Sequence, residues 1–178
     1  MVTSSDVMAP LKDVFAELNA LKDAGIVRDY AIGGATAVLF YAEPTRTYDL
    51  DVFVLLANAQ AGAPVSLEPF YEWAAAKNFP TSAEHIIIHG VPVQFLPAHN
   101  ALAEDAVVTA RTIAYEDVPV RVIAPEHLAA LAFQAGGARR RERGWQLLDE
   151  PGVVDREKFD ALAQTHGIKI DSGHGSET

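Results

Sequence analysis

The chain contains no cysteine, which excludes structural disulfides and thiolate metal sites. It has no apolar run of the length a membrane-spanning helix requires. Met1 to Asp6 lacks the basic and apolar regions of a signal peptide. A cytoplasmic protein with no membrane partner is therefore expected. Basic residues are scarce: 14 Lys and Arg stand against 24 Asp and Glu, for a net charge of −10. A surface of that overall sign is not built for non-specific nucleic-acid binding, although a local basic patch can still act. His85, His89, His99, His127, His166 and His174 show no zinc-ligand spacing. His85 and His89 are four apart, but in a predicted strand, where they share a face yet sit well separated. No internal repeat is present.

What remains is a chain of 178 residues, 49% hydrophobic, enough for one domain with a sizeable core. Apolar positions at helical spacing (Val7, Leu11, Val14, Phe15, Leu18, Leu21) predict a first helix that stops at Gly25. Strands are predicted over 27–32 and 50–56, with a short apolar helix over 35–41 between them and Pro44 ending that segment. The unbroken apolar run of the second strand predicts burial on both faces. A helix over 67–77 carries Phe70, Tyr71 and Trp73, and two apolar runs around His89-Gly90 predict a hairpin or a bulged pair. An Ala-rich helix over 100–111, a strand over 118–123 and helices over 125–134, 139–148 and 155–166 complete the order. Trp73 and Trp145 are expected to pack in the core or at an interface, with base stacking a minor alternative. The tail from Asp171 is polar and expected to be disordered.

The most informative stretch is Ile32-Gly33-Gly34, fourteen intervening residues, then Asp49-Leu50-Asp51-Val52. Residues two apart in a strand point to one face, so Asp49 and Asp51 are expected side by side. Their repulsion is relieved by a divalent cation, and Mg²⁺ favours such oxygen ligands. Glycines without a Cβ let the backbone approach a phosphate, with a helix start aimed at the anion.

This combination resembles the signature of the nucleotidyltransferase superfamily. The resemblance covers roughly residues 25 to 150 and is strongest over 30 to 55. It extends to Gly90–Pro97, which looks like the strand of the third carboxylate. Val120–Leu128, with Pro125-Glu126-His127-Leu128, looks like a segment of the bacterial branch that includes AbiEii-type toxins. The implied fold is α/β (α+β), a mixed sheet flanked by helices with a helical C-terminal part. Its expected divisions are a core over 1–124, a helical part over 125–168 and a disordered tail over 169–178.

The implied reaction transfers a nucleotidyl group from an NTP to an acceptor hydroxyl on RNA, a protein or a small molecule, with Mg²⁺ or Mn²⁺. Asp49 and Asp51 are the implied metal ligands and Gly33-Gly34 the phosphate cradle. Arg46 and Tyr48 either face the nucleotide or serve as plain loop residues. Three positions depart from the family pattern. Gln94, the only polar side chain between Gly90 and Pro97, stands for the third carboxylate; it can ligate a cation but cannot act as a base. Ala132 stands where a lysine is common. Arg139-Arg140-Arg141-Glu142-Arg143 replaces a Lys-Asp-x-x-Asp pattern. That arginine cluster, with Arg139 and Arg143 on one helix face, reads equally as a phosphate clamp or as a solvated surface. These departures leave the fold intact and bear on the chemistry. The alternative reading is a degenerate nucleotide- or partner-binding module, or one half of a toxin–antitoxin pair.

Overall fold

The structure, a computed structural model, describes residues 4–42, 49–57 and 63–170, with only the backbone of residues 4–10. The expectations placed on Pro44, Arg46, Tyr48 and 171–178 lie outside the described residues. In chain order the elements are α1 (Ser4–Asp23), β1 (Val27–Gly33), α2 (Gly34–Val38), β2 (Leu50–Leu56) and α3 (Glu68–Ala76). Next come β3 (Thr81–Ser82), β4 (His85–Ile88), β5 (Val91–Pro97), α4 (Ala101–Val108), β6 (Arg111–Tyr115) and β7 (Val118–Val122). Three helices follow: α5 (Pro125–Ala135), α6 (Ala138–Asp149) and α7 (Arg156–Thr165). The strands form one mixed seven-stranded sheet in the order β3-β4-β5-β2-β1-β7-β6. β2 runs parallel to β5 and antiparallel to β1, and β1 runs parallel to β7. The expected architecture, a mixed sheet flanked by helices, is therefore the one observed.

Side-chain alternation gives the sheet two different faces. Tyr30, Ile32, Leu50, Val52, Val54, Val93 and Val122 are fully buried. Their face is covered by α1 and α3: Tyr30 donates its hydroxyl to Asn19 of α1, and Phe70 of α3 stacks on Phe95 at 4.6 Å. On the opposite face the register sets Gly33 against Asp51 and Ala31 against Phe53. Here α4 and α5 cover only part of the sheet, so Asp51 and Phe53 are half-buried. The apolar run of β2 thus does not mark burial on both faces. One face is core and the other lines an open cleft.

Two strands escape the sequence pattern. β3 is two residues long, below any periodicity. β6 begins at Arg111, the last residue of the expected 100–111 helix, and runs through a stretch for which the sequence predicts no element. That helix stops at Val108, where the Thr109 hydroxyl folds back on the Asp105 carbonyl at 2.7 Å. Arg111–Tyr115 then pairs with β7 as the sheet edge, and only Ile113 and Tyr115 turn inward. Tyr115 packs edge-on against Phe15 at 5.1 Å. The β4–β5 hairpin forms where expected, with His89 and Gly90 both at positive φ (48° and 84°), as a two-residue turn of the right twist demands.

An aromatic cluster centred on Phe133 joins the C-terminal helices. Phe133 of α5 meets Trp145 of α6 at 5.5 Å, edge-on, and Phe159 of α7 at 6.1 Å. Gly144 permits that approach, since a Cβ there would lie 2.8 Å from the Phe133 ring. Asp155 caps α7 by accepting from the amides of Glu157 and Lys158. Phe133→Ala is expected to destabilise the protein by about 3–5 kcal/mol in urea denaturation. A loss under about 1 kcal/mol would show that α6 and α7 are held by other contacts.

Candidate active site

The cleft on the half-open sheet face has a volume of about 670 Å³, within the usual range for a small-molecule site. Phe53, Leu96, Leu128 and Leu131 give it an apolar floor, and Asp51, Arg140 and Arg143 gather at its polar end. Asp51 is half-buried on β2. Burial first, and the charge of Asp49 second, push its carboxyl above the ordinary value of 3.8. Arg143, His85 and Arg140 act in the opposite direction and favour its charged form. The Arg143 guanidinium is itself half-buried, and desolvation draws its pKa down while Asp51 draws it up.

Backbone geometry explains the glycine pair. Gly34 sits at φ +61°, in the left-handed region, and a Cβ there would collide with the Asp51 carboxylate. A Cβ on Gly33 would lie 2.5 Å from the Phe53 ring. The space a side chain would take is thus filled by Phe53 and Asp51, which lets the turn close directly onto β2. The helix that follows, α2, has five residues. Its buried Thr36 donates to the Asp49 carbonyl at 3.1 Å and fixes the entry to β2.

Gln94 of β5 pairs with Asp51 across the parallel β2–β5 ladder and is half-buried. It therefore lies on the same sheet face as Asp51. Of the arginines, the exposed Arg140 and the half-buried Arg143 line the cleft, and Arg139, also exposed, does not. Ala132 also lines it. Sequence reasoning assigned no part to His85. The structure brings its Nε2 to 3.4 Å from Asp49 Oδ2.

The Pro125–Leu128 segment has a structural use at every position. Pro125 opens α5, the buried Glu126 accepts from the Asp155 amide at 2.8 Å, and His127 Nε2 lies 2.7 Å from Asp105 Oδ2. Leu128 faces the cleft.

Two carboxylates beside two guanidinium groups can hold a divalent cation together with a phosphorylated ligand. Among the described residues, no three His, Asp or Glu side chains stand together as a closed cation site. The donor set still suits Mg²⁺, which is commonly held by one or two carboxylates plus substrate phosphates. The raised pKa of Asp51 is the unfavourable charge that such a cation would offset.

No family model matches this sequence, and no curated protein matches it. Among solved structures, the fold is similar to that of an antigenic nucleotidyltransferase-like protein from Paracoccidioides brasiliensis. The TM-score is 0.53 at 16% identity, over 89% of this chain and 87% of that one. Two structures of the antibiotic-resistance factor ANT(2'')-Ia align at a TM-score of 0.49 and 15% identity. The solution structure aligns over 89% of this chain and 92% of that one. The complex with adenylyl-2''-tobramycin aligns over 87% and 95%. The chain thus has a nucleotidyltransferase-like fold.

The charge at Asp51 predicts a pH dependence of stability. Its folded-state pKa lies above the unfolded value, so its contribution is fully present below about pH 3.8 and is lost as pH rises through the folded value. In metal-free buffer, Asp51→Asn is expected to melt above wild type at pH 7, with the difference shrinking as pH falls toward 4. A variant that melts lower at pH 7 would show that the Asp51 carboxylate is net stabilising. Gly34→Ala is expected to destabilise by at least about 1–2 kcal/mol, the left-handed backbone penalty alone, in urea denaturation. A neutral effect would show that the turn relaxes freely away from Asp51.

Proposed function

We propose that this protein transfers a nucleotidyl group from an NTP to an acceptor hydroxyl, with the chemistry centred on Asp49 and Asp51. The observation that carries this reading is the half-buried Asp51, set against Gly34 and opposed by Arg140 and Arg143 in one cleft. The two aspartates hold Mg²⁺ or Mn²⁺. Such a cation, when bound, neutralises charge on the triphosphate and polarises the reacting phosphorus. Gly34 lines the cleft beside Asp51 and presents bare backbone to the phosphates. Arg140 and Arg143 bind phosphate oxygens, which guanidinium groups engage bidentately. The apolar floor around Phe53, Leu96 and Leu131 excludes water from the bound ligand.

The acceptor is an RNA, protein or small-molecule hydroxyl. The resemblance to the AbiEii-type branch supports a place in a toxin–antitoxin pair, acting in the cytoplasm. Gln94 favours a second reading. A neutral amide in register with Asp51 cannot take a proton from the acceptor. Turnover is accordingly slow, below about 1 per second, or absent, leaving a nucleotide- or partner-binding module.

Calorimetry with each NTP plus Mg²⁺, followed by a pyrophosphate-release assay, separates these readings. Binding with release supports the enzyme, and binding without release supports the module. Asp51→Asn is expected to abolish Mg²⁺-dependent binding, and Gln94→Asp to raise Mg²⁺ affinity. Arg140→Ala and Arg143→Ala are each expected to weaken NTP binding roughly tenfold or more. Arg139→Ala is expected to leave it within about twofold. Unchanged binding in the Asp51, Arg140 and Arg143 variants would remove the cleft from consideration.

A further inference from the structure

Gln134, in the last turn of α5, lines the same cleft as Asp51 but at its opposite end. The β2–β5 ladder sets that separation. Gln94 is level with Asp51 and Pro97 with Val54, and the Ala98 amide still donates to the Val54 carbonyl at 3.0 Å. Asn100 comes after these, beyond the end of the sheet remote from Asp51, and Gln134 is bonded to it. Phe53 and Leu96, paired across the ladder, lie between the two ends. A relay of hydrogen bonds decides which atom Gln134 offers. Asn100 caps α4, and its Oδ1 accepts from the Ala103 amide at 2.9 Å. Its Nδ2 therefore faces Gln134, where it donates to Oε1 at 3.1 Å. An amide nitrogen carries donors only, so turning either amide over would set like against like. Gln134 is left with Nε2, whose N–H groups have no acceptor among the described residues. Through this side chain, the far end of the cleft donates hydrogen bonds and accepts none.

Resting on the proposed nucleotidyl-transfer site, we infer that Gln134 selects the base of the NTP, favouring the keto bases guanine and uracil over the amino bases adenine and cytosine. With the triphosphate held beside Asp51 and Arg143, the flat face of the base covers Phe53 and Leu96. The exocyclic group at purine C6 or pyrimidine C4 is remote from the ribose and reaches furthest toward Gln134. In guanine and uracil that group is a carbonyl oxygen, which accepts from Gln134 Nε2. In adenine and cytosine it is an amino group, a donor set against a donor. A site built to hydrogen-bond one of these groups rejects the other, because its own polar atoms are left unpaired. Asn100 does not touch the base; it fixes the Gln134 amide so that the choice is made in one direction.

The test is calorimetry on the full chain with Mg²⁺ and ATP, ITP, GTP, CTP or UTP. ITP carries the 6-keto group without the 2-amino group of GTP, so its comparison with ATP isolates the contact. Wild type is expected to bind GTP and ITP about tenfold or more tighter than ATP, and UTP about tenfold or more tighter than CTP. Gln134→Glu keeps the shape of the side chain and the bond from Asn100, but it leaves a carboxylate oxygen where the N–H donors were. Gln134 is exposed, so this change leaves the core intact. The variant is expected to reverse the order, with ATP tighter than ITP and CTP tighter than UTP, whatever its charge does to all five affinities. ATP binding to wild type as tightly as ITP would overturn the inference and leave the transfer site standing; this arm needs no variant to fold. A preference for ITP that survives in Gln134→Glu would place the selection elsewhere and overturn the role of Gln134. Absence of binding by every NTP in wild type would overturn the proposed function and this inference together.

Discussion

A carboxylate half-buried beside a second carboxylate is the constraint around which this molecule is arranged. Desolvation and the neighbouring charge of Asp49 both oppose ionisation of Asp51. In a purely structural strand this would be a defect that a neutral residue would remove. Instead, the fold brings basic side chains toward Asp51 from two directions. Arg140 and Arg143 reach it from α6, and His85 from β4. None of these elements is adjacent to β2 in sequence, so the balance of charge exists only in the assembled structure.

That assembly depends on close approach at two glycines. Gly34 lets the β1–α2 turn close onto Asp51, and Gly144 lets α6 approach Phe133. Phe133 anchors α6 and α7 to α5, and α5 packs on α2 and α4 at the cleft. The arginines of α6 therefore act at Asp51 because an aromatic cluster behind them fixes their helix. Core packing and site electrostatics are one problem here. A change at Phe133 is expected to reach the cleft through the position of α6.

The parts of this arrangement carried by local pattern were legible in the sequence. The bounds of β2, the His89-Gly90 connection and Pro125 at the start of α5 all follow from residue spacing and turn chemistry. The closeness of Asp51 to the Gly33-Gly34 turn was foreshadowed by the interval between the Gly-Gly turn and Asp49. Tertiary facts were not legible. β6 hides behind an Ala-rich helix because an edge strand buries only alternate side chains. His85 reaches Asp49 only because β5 inserts parallel to β2, and no local pattern encodes that choice. Arg140 rather than Arg139 lines the cleft, a choice set by how α6 docks on α5. The apolar run of β2 misled for a physical reason: an apolar side chain such as Phe53 faces a half-open cleft as readily as a closed core.

The central claim is that Asp49 and Asp51 hold a cation and that Arg140 and Arg143 hold the phosphates it carries. The most direct measurement is a crystal structure with Mn²⁺ and a non-hydrolysable nucleoside triphosphate, with Mn²⁺ located by anomalous scattering. The account predicts an anomalous peak on both aspartate side chains, with the triphosphate extending toward Arg140 and Arg143. A nucleotide bound outside this cleft, or Mn²⁺ remote from both aspartates, would contradict it.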